Sequence, residues 1–432
     1  MMRNALNTTR ARRAAMATAA LGVLSLTMSA CAGSAGSGGG GVGGEAGEGF
    51  AYDAPQEEVD AAIADLDPIT IKFQPSSASP DSVMAPAGTV FKEIVEERSG
   101  GKITVELVWG QAIAGYAEVH DALSDGRLDV AYTLPVYDPA QFAAVNDLGT
   151  VMAALKPSPF LGELVANAVG NELGWNNQAT LDTYEEMGIT PLTPLAASGG
   201  YYTVCNSPVE SEDDWQGLQV RIASASQAAQ AQHLGASPVS MEYAETFEAL
   251  QRGTVDCTLG QLVPSAESGI FEVAPHLGYT TEASFSRAPG AYLAGSSFTD
   301  MPLAYQQIIF DSNALAAAGG MQAVIGGNAA AVGQAKDANG EILAFDDALQ
   351  DQVADYSEEL TAAALENGLI DEDILATITA SEEEWTTRFE ELGYTDEGTV
   401  ADFDEWYDTE TDFSGYAKSV YEDGTAQQHR PS

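Results

Sequence analysis

The sequence predicts an α/β chain of two lobes joined through a hinge, and three observations carry that prediction. Short strand-like runs alternate with helix-like ones along most of the chain, the pattern of parallel or mostly parallel sheets covered on both faces. The 432 residues, even without their Gly-rich N-terminal stretch, exceed what one hydrophobic core normally holds. A short pattern also recurs: "ALSDGRLDV" at 122–130 and "ALQRGTVDC" at 249–257. Each copy reads as a helix closed by a glycine (Gly126, Gly253) in the left-handed cap position and followed at once by a buried strand. The copies lie far enough apart to belong to separate, similarly built lobes.

The elements follow in order. "PITIKFQ" (68–74) reads as a strand. In "VMAPAGTVFKEIVEERSG" (83–100), Phe91, Ile94, Val95 and Arg98 share one helical face and Gly100 is the stop. "KITVELVW" (102–109) is a strand, 116–126 a helix and "LDVAYTL" (128–134) a strand. Strand-like runs recur at 188–206, 217–223 and 235–242. "YTTEASFSRAPGAYLAGSS" (279–297) reads as a return into the first lobe, and "MPLAYQQIIFDSNALAAAGG" (301–320) as a long helix. The chain then crosses between lobes near 197, 286 and 322, and several crossings make a hinge rather than a linker. The expected division is 68–197 plus 286–322 for the N-terminal lobe and 198–285 plus 323–432 for the C-terminal lobe. The latter includes acidic helices at 345–392 and an aromatic-rich tail whose fold the pattern does not define.

The N-terminus reads as an address. Arg3, Arg10, Arg12 and Arg13 precede a short apolar run that ends in small residues before Cys31. That is an export signal (1–30), too short for a membrane span. "MSAC" also resembles a lipobox, with Met28 where leucine is commoner; the alternative is an ordinary signal peptide with a chance cysteine. Residues 31–67 are expected to be a flexible tether. The Gly-rich run 32–49 has an r.m.s. reach of roughly 20–25 Å, enough to hold a folded domain just off a membrane to which an acylated Cys31 anchors it. The expected location is extracytoplasmic and lipid-anchored.

Lys plus Arg number 17 and Asp plus Glu 64. Removing the four leader arginines leaves 17 − 4 = 13 cations against 64 anions, a net −51. Such a field excludes nucleic acid and anionic lipid as partners. It also means that an anionic ligand needs a local positive site. With Cys31 acylated, Cys205 and Cys257 remain, either as a disulfide in an oxidising compartment or as two buried thiols.

The catalytic inventory is thin. His120, His233, His276 and His429 are scattered; no HExxH, phosphate loop or zinc spacing is present, and the acidic pairs read as solvated surface. No catalytic residue, metal or cofactor is expected. Two lobes, a hinge and an exported anchor point to binding instead.

The run "GLQVRIASASQAAQAQHLGASPVSMEYAETFEALQRGTVDC" (217–257) resembles the signature of the substrate-binding subunits of tripartite ATP-independent periplasmic (TRAP) transporters, of the dicarboxylate-binding type. Its anchors stand in order: Gly217, Arg221, Leu234–Gly235–Ala236, Pro238, Met241, Glu245 and Ala249–Leu250–Gln251–Gly253–Asp256. "FKEIVEERSGGKITVELVWG" and "DALSDGRLDVAY" agree in the first lobe. The resemblance implies a two-lobe, periplasmic-binding-protein-like fold with hinge strands and a long helix spanning both lobes. It also implies capture of a small organic carboxylate between the lobes and delivery to TRAP membrane permease subunits. The alternative partner is a receptor kinase, with the chain acting as a sensory lipoprotein.

The family's carboxylate-gripping arginine falls on Arg221. A guanidinium offers a rigid fork of donors to both carboxylate oxygens, which lysine cannot copy. The strand end is where open α/β sheets bind ligand. The competing reading is an arginine salt-bridged to one of the many acids. Ser224 and Tyr243 match places where family members touch ligand, Tyr243 serving either as an apolar wall or as plain core. Gln74 and Ser76 end the first strand and Thr133 the third, where polar contacts are expected; Trp109 is either a cleft wall or structural. Two departures stand out. Tyr201 occupies the place of a second basic residue, and Gln261, shifted by one, stands for the usual asparagine. Losing a cation favours a monocarboxylate with a neutral or apolar body over a four-carbon dicarboxylate.

Overall fold

The structure is a computed structural model and describes residues 48–197 and 199–432. The leader and the expected lipidation site Cys31 lie outside the described residues, and the described part of the expected tether 31–67 is folded rather than flexible: Phe50 is buried against the long helix's Gln307, and a helix at Gln56–Ile63 buries Val59 and Ile63.

Eleven strands are found among the described residues: β1 (Ile69–Gln74), β2 (Ile103–Leu107), β3 (Val130–Thr133), β4 (Thr190–Ala196), β5 (Tyr202–Cys205), β6 (Gln219–Ile222), β7 (Ser237–Ser240), β8 (Cys257–Gly260), β9 (His276–Tyr279), β10 (Gly290–Ala294) and β11 (Ile342–Ala344). They form two sheets, in the orders β2-β1-β3-β10-β4 and β11-β9-β5-β8-β6-β7. In the first, β1 runs parallel to β2 and β3, and β10 lies antiparallel to β3. In the second, β6 runs parallel to β7 and β8, and β5 lies antiparallel to β8. The sheets follow one plan, and the recurring sequence pattern is the joint they share. Gly126 and Gly253 take φ of 78° and 68°, which closes each helix. The aspartate that follows then binds the neighbouring parallel strand: Asp129 accepts from the Lys72 amide and Asp256 from the Gln219 amide, both at 2.8 Å.

This is the two-lobe α/β fold. The chain passes between the sheets after β4 and again between β9 and β10, and the helix Leu303–Asp337 runs past both lobes. That helix is longer than the periodicity of 301–320 suggested, because it is apolar around most of its circumference and buried along its length. Two glycines let it approach each lobe. A Cβ at Gly319 would come 2.7 Å from Val90, on the helix Pro86–Arg98 of the first lobe. One at Gly327 would come 2.6 Å from Val263, on the helix Leu262–Glu267 that follows β8.

Cys205 and Cys257 sit opposite each other on β5 and β8 and are bridged, with Cα atoms 4.1 Å apart. The bridge lies in a core with Trp215, Phe285 and Phe345.

The acidic tail departs from expectation. The helix Ile374–Glu391 packs not on the second lobe but on the helix Leu161–Asn176, which itself lies on β4 of the first sheet. Asp396 accepts from Ser158 Oγ at 2.7 Å and from the Phe160 amide at 3.1 Å. The tail's aromatics Tyr394, Trp406, Tyr407 and Phe413 surround Phe160. Further on, the helix Ser414–Glu422 packs on the long helix, and Arg430 forks onto Asp311 at 2.8 and 2.9 Å. These partners are more than a hundred residues distant in sequence, beyond the reach of local patterning.

Candidate functional site

Arg221 sits in β6, held in register between Val239 of β7 and Thr258 of β8. The flanking strands bury it to 1 % exposure. Its Nε donates to the Met241 carbonyl at 3.1 Å, and its guanidinium lies over the Tyr243 ring, 4.8 Å from the centroid. Nη2 is buried without a hydrogen-bond partner. Among the described residues no carboxylate pairs with this arginine, although the chain carries 64 Asp plus Glu. A buried cation with an unfilled donor is costly, and a bound anion removes the cost.

Arg221 faces a cavity of about 770 Å³. Tyr201, Tyr243, Gln261 and Ser76 line it as well, so five of the expected ligand-binding residues converge on one space. Tyr243 OH lies 2.5 Å from Ser265 Oγ, which in turn donates to the Gln261 carbonyl; this relay fixes the ring beneath the guanidinium. Gln261 Nε2 donates to the Gly199 carbonyl at 3.0 Å, tying the site to the first crossing segment. Burial pushes the Tyr243 phenol up to about 12, against the pull of Ser265 and Arg221. Burial also raises Tyr201, against the same arginine. Both phenols are therefore neutral at physiological pH and add no competing negative charge.

The other four expected residues do not line the cavity. Gln74 turns its amide onto the backbone of 113–114, donating to the Ala114 carbonyl at 2.8 Å and accepting from the Ile113 and Ala114 amides at 3.3 Å. Ser224 is the N-cap of the helix Ala225–His233 and accepts from the Gln227 amide at 3.2 Å. Thr133 is fully buried; the alternation of β3 turns Tyr132 and Leu134 on either side of it to the cavity instead. Trp109 is half-buried away from the wall.

The sequence reading missed other groups. Asn167 and Asn171, four apart on the helix Leu161–Asn176, and Asn328 on the long helix all line the cavity. Tyr116, Tyr132, Tyr137 and Tyr292 form a contiguous aromatic wall in the first lobe, with Tyr132 and Tyr292 rings 5.2 Å apart. At the mouth, Glu267 reaches across from the second lobe to accept from Ser82 Oγ at 2.6 Å and from the Val83 amide at 2.8 Å. Among the described residues no cluster of side chains could hold a metal ion.

Comparison with known proteins places this geometry. Residues 76–367 match the bacterial extracellular solute-binding proteins, family 7 (DctP). The chain belongs to this family. Members are extracytoplasmic solute-binding proteins rather than enzymes, and several solved structures of the same fold are solute-binding proteins of TRAP transporters. The chain is 30% identical over 196 residues to the C4-dicarboxylate-binding periplasmic protein DctP of Rhodobacter capsulatus, covering 44% of this chain and 55% of that one. It therefore spans about half the length of that relative. Two of the many solved structures that share its fold illustrate the likeness. The TRAP solute-binding protein of Rhodoferax ferrireducens with copurified benzoate has a TM-score of 0.62 at 19% identity, covering 74% of this chain and 99% of its own. The ectoine-binding protein of Halomonas elongata has a TM-score of 0.62 at 17% identity, covering 73% and 100%. Against this family frame, the tail from 368 onward lies beyond the matched range, yet Tyr416, Ala417, Val420, Tyr421 and Ala426 contribute to the cavity wall.

Proposed function

We propose that this chain is the solute-binding subunit of a TRAP-type secondary transporter, holding a small organic monocarboxylate against Arg221 and delivering it to the membrane permease subunits. The observation that carries the reading is the state of Arg221: buried, aimed into an interlobe cavity, oriented by a carbonyl and a ring, and paired with no acid. Among the described residues lining the cavity, Arg221 is the only Lys or Arg, and its charged neighbours are the exposed Glu118, Glu242 and Glu267. A second carboxylate on the ligand would face those acids, so the electrostatics favour one carboxylate on a neutral body. The benzoate of the Rhodoferax protein and the mandelate of a Bordetella bronchiseptica relative are ligands of that kind. Cleft closure is then favoured by the ligand's differential contacts with the two lobes. Acylation of Cys31 would tether the protein at the outer face of the membrane.

A thermal-shift screen of organic acids, followed by calorimetry, tests this. Monocarboxylates should be the best stabilisers, and Arg221→Ala should weaken the best of them by about 2–5 kcal/mol, as truncation of a buried charged pair does. Arg221→Lys should fail to restore the wild-type affinity, because an ammonium cannot form the fork. Affinity within a few-fold of wild type in Arg221→Ala would sink the assignment.

A further inference from the structure

The cavity is larger than capture of a small acid requires. Its volume, about 770 Å³, lies toward the upper end of sites that enclose drug-sized ligands. It continues from Arg221 along the long helix from Asn328 to Phe310, eighteen residues or about 27 Å at helical rise. Between those ends the long helix turns mostly small or apolar groups toward it, Val324, Met321, Gly320, Ala317 and Ala314, together with Asn313, whose Nδ2 donates to Thr193 Oγ1 at 2.9 Å. The tail contributes to the wall of this inner arm, beside Phe91, Leu192 and Tyr292 of the first lobe. Tyr416, Ala417, Val420 and Tyr421 of the helix Ser414–Glu422 close it, and that helix lies outside the range shared with the family.

The tail is clamped in place. Tyr421 OH donates to Asp311 Oδ1 at 2.7 Å, Arg430 forks onto the same aspartate, and Gln307 Nε2 donates to the Pro431 carbonyl at 2.8 Å. A wall held by a buried ion pair keeps the arm's shape. Besides Arg221 Nη2 and Ser76 Oγ, two side-chain amides of the cavity carry an atom without a partner: Asn328 Nδ2, on a residue 2 % exposed, and Asn171 Oδ1, on a residue 9 % exposed. Buried amides left unsatisfied are expensive unless an occupant completes them. Gly320 marks the open middle of the arm, since a Cβ there would meet nothing within 4 Å.

We infer that the inner arm is a ligand subsite built by the C-terminal tail, and that the ligand is a monocarboxylate with an extended apolar body running from Arg221 into the arm. This rests on the carboxylate reading above and adds a length and a polarity to it. Its polar markers also carry meaning. Asn328, close to Gly199 at the crossing, suits an oxygen near the carboxylate end, and Asn171 suits a single hydroxyl part-way along the body.

The test measures affinities of acetate, hexanoate and decanoate for the full-length wild type, Gly320→Leu and Arg221→Ala. Leucine is a better helix former than glycine, so the thermal melt of Gly320→Leu without ligand should match or exceed that of wild type. Wild-type affinity should rise about three- to four-fold per added methylene from hexanoate to decanoate. Gly320→Leu should abolish that rise while changing acetate or hexanoate binding less than three-fold. Decanoate no tighter than hexanoate in the wild type, or no binding of either, would overturn the subsite. So would a Gly320→Leu protein that keeps the rise or weakens all three acids alike. The carboxylate reading fails separately: Arg221→Ala then binds all three acids within a few-fold of wild type, whatever their length dependence.

Discussion

Arg221 and Arg287 are buried to nearly the same degree, at 1 % and 4 % exposure, and lie in neighbouring parts of the molecule, yet their surroundings differ completely. Arg287, in the crossing between β9 and β10, forks onto Glu163 with contacts of 3.1 and 3.3 Å, and the glutamate is as buried as the arginine. The other crossing runs close above the pair: a Cβ on Gly200 would sit 2.6 Å from Glu163 Oε1. Arg221 has only a carbonyl and an aromatic face. One cation is neutralised within the fold and serves the hinge. The other is oriented by the fold and has no acid partner among the described residues, which is the state the proposed carboxylate site requires. In a chain so rich in acids, keeping every carboxylate away from Arg221 takes an enclosing wall of neutral groups, and Tyr201, Tyr243 and Gln261 supply it.

The largest effect that separates the two belongs to Arg287. Arg287→Ala strands Glu163 in the interior and should lower the unfolding free energy by about 3–5 kcal/mol, whereas replacing both partners with apolar residues of similar volume, Arg287→Met with Glu163→Leu, should recover most of the loss. Arg221→Met, by contrast, should leave the denaturation midpoint of the unliganded protein unchanged or raised, because it removes an unpaired buried charge. Equal destabilisation by Arg287→Ala and Arg221→Met would erase the contrast.

A buried histidine sharpens the comparison, because it can escape its charge where an arginine cannot. His120 is 6 % exposed, packs its ring 4.3 Å from that of Phe142, and has no partner at Nε2. Burial pushes it down to about 4, against the opposing pull of Asp138 and Asp121. The folded-state value lies below the unfolded one of about 6.5, so on acidification the unfolded chain takes up the proton first. Stability from this site is intact above pH 6.5 and is lost as pH falls toward 4, by on the order of 3 kcal/mol at about 1.4 kcal/mol per unit. Denaturant titrations at several pH values should show a shallower acid decline for His120→Phe than for wild type. Parallel curves would mean that His120 is not the buried neutral group described.

Much of the fold was legible because its signals are local. β1, β2, β3 and β6 fall within the runs expected from alternation, and the repeated helix–Gly–strand pattern marks the same joint in each sheet. Arg221 stood out because a scarce cation inside an apolar strand is an anomaly that composition alone exposes. Ser224 was misjudged although a local signal was available. Ser224 followed by Gln227 is the spacing of a capping box, and the two do bond there: Ser224 Oγ accepts from the Gln227 amide, and Gln227 Oε1 from the Ala223 amide. Asn167 and Asn171 also had a readable cue, four-residue spacing that continues from Glu163 along one face of a mostly apolar helix. The tail had none. Its aromatics find Phe160 and the long helix through contacts across hundreds of residues, and nothing in a window of sequence encodes such partners.

The smallest expected effect concerns the mouth of the cleft, where the lobes meet without a ligand's help. Glu267 accepts from Ser82 Oγ and from the Val83 amide, so one second-lobe carboxylate holds two donors of the first lobe. The group is exposed, and water competes for both bonds; removing them should cost the closed form about 1 kcal/mol, near the low end for hydrogen bonds to a charged acceptor. That is roughly a five-fold shift toward the open form, visible as a larger radius of gyration for Glu267→Ala than for wild type in small-angle scattering of the unliganded proteins. Affinity is the poorer readout, because deleting a negative charge at the mouth of the proposed anion site would help the ligand while loss of the latch hinders it. In the proposed function, ligand contacts with Arg221 would act on the same equilibrium, so a saturating ligand should bring wild type and Glu267→Ala to the same radius. If the two differ in scattering even when saturated, Glu267 shapes the closed state rather than merely favouring it.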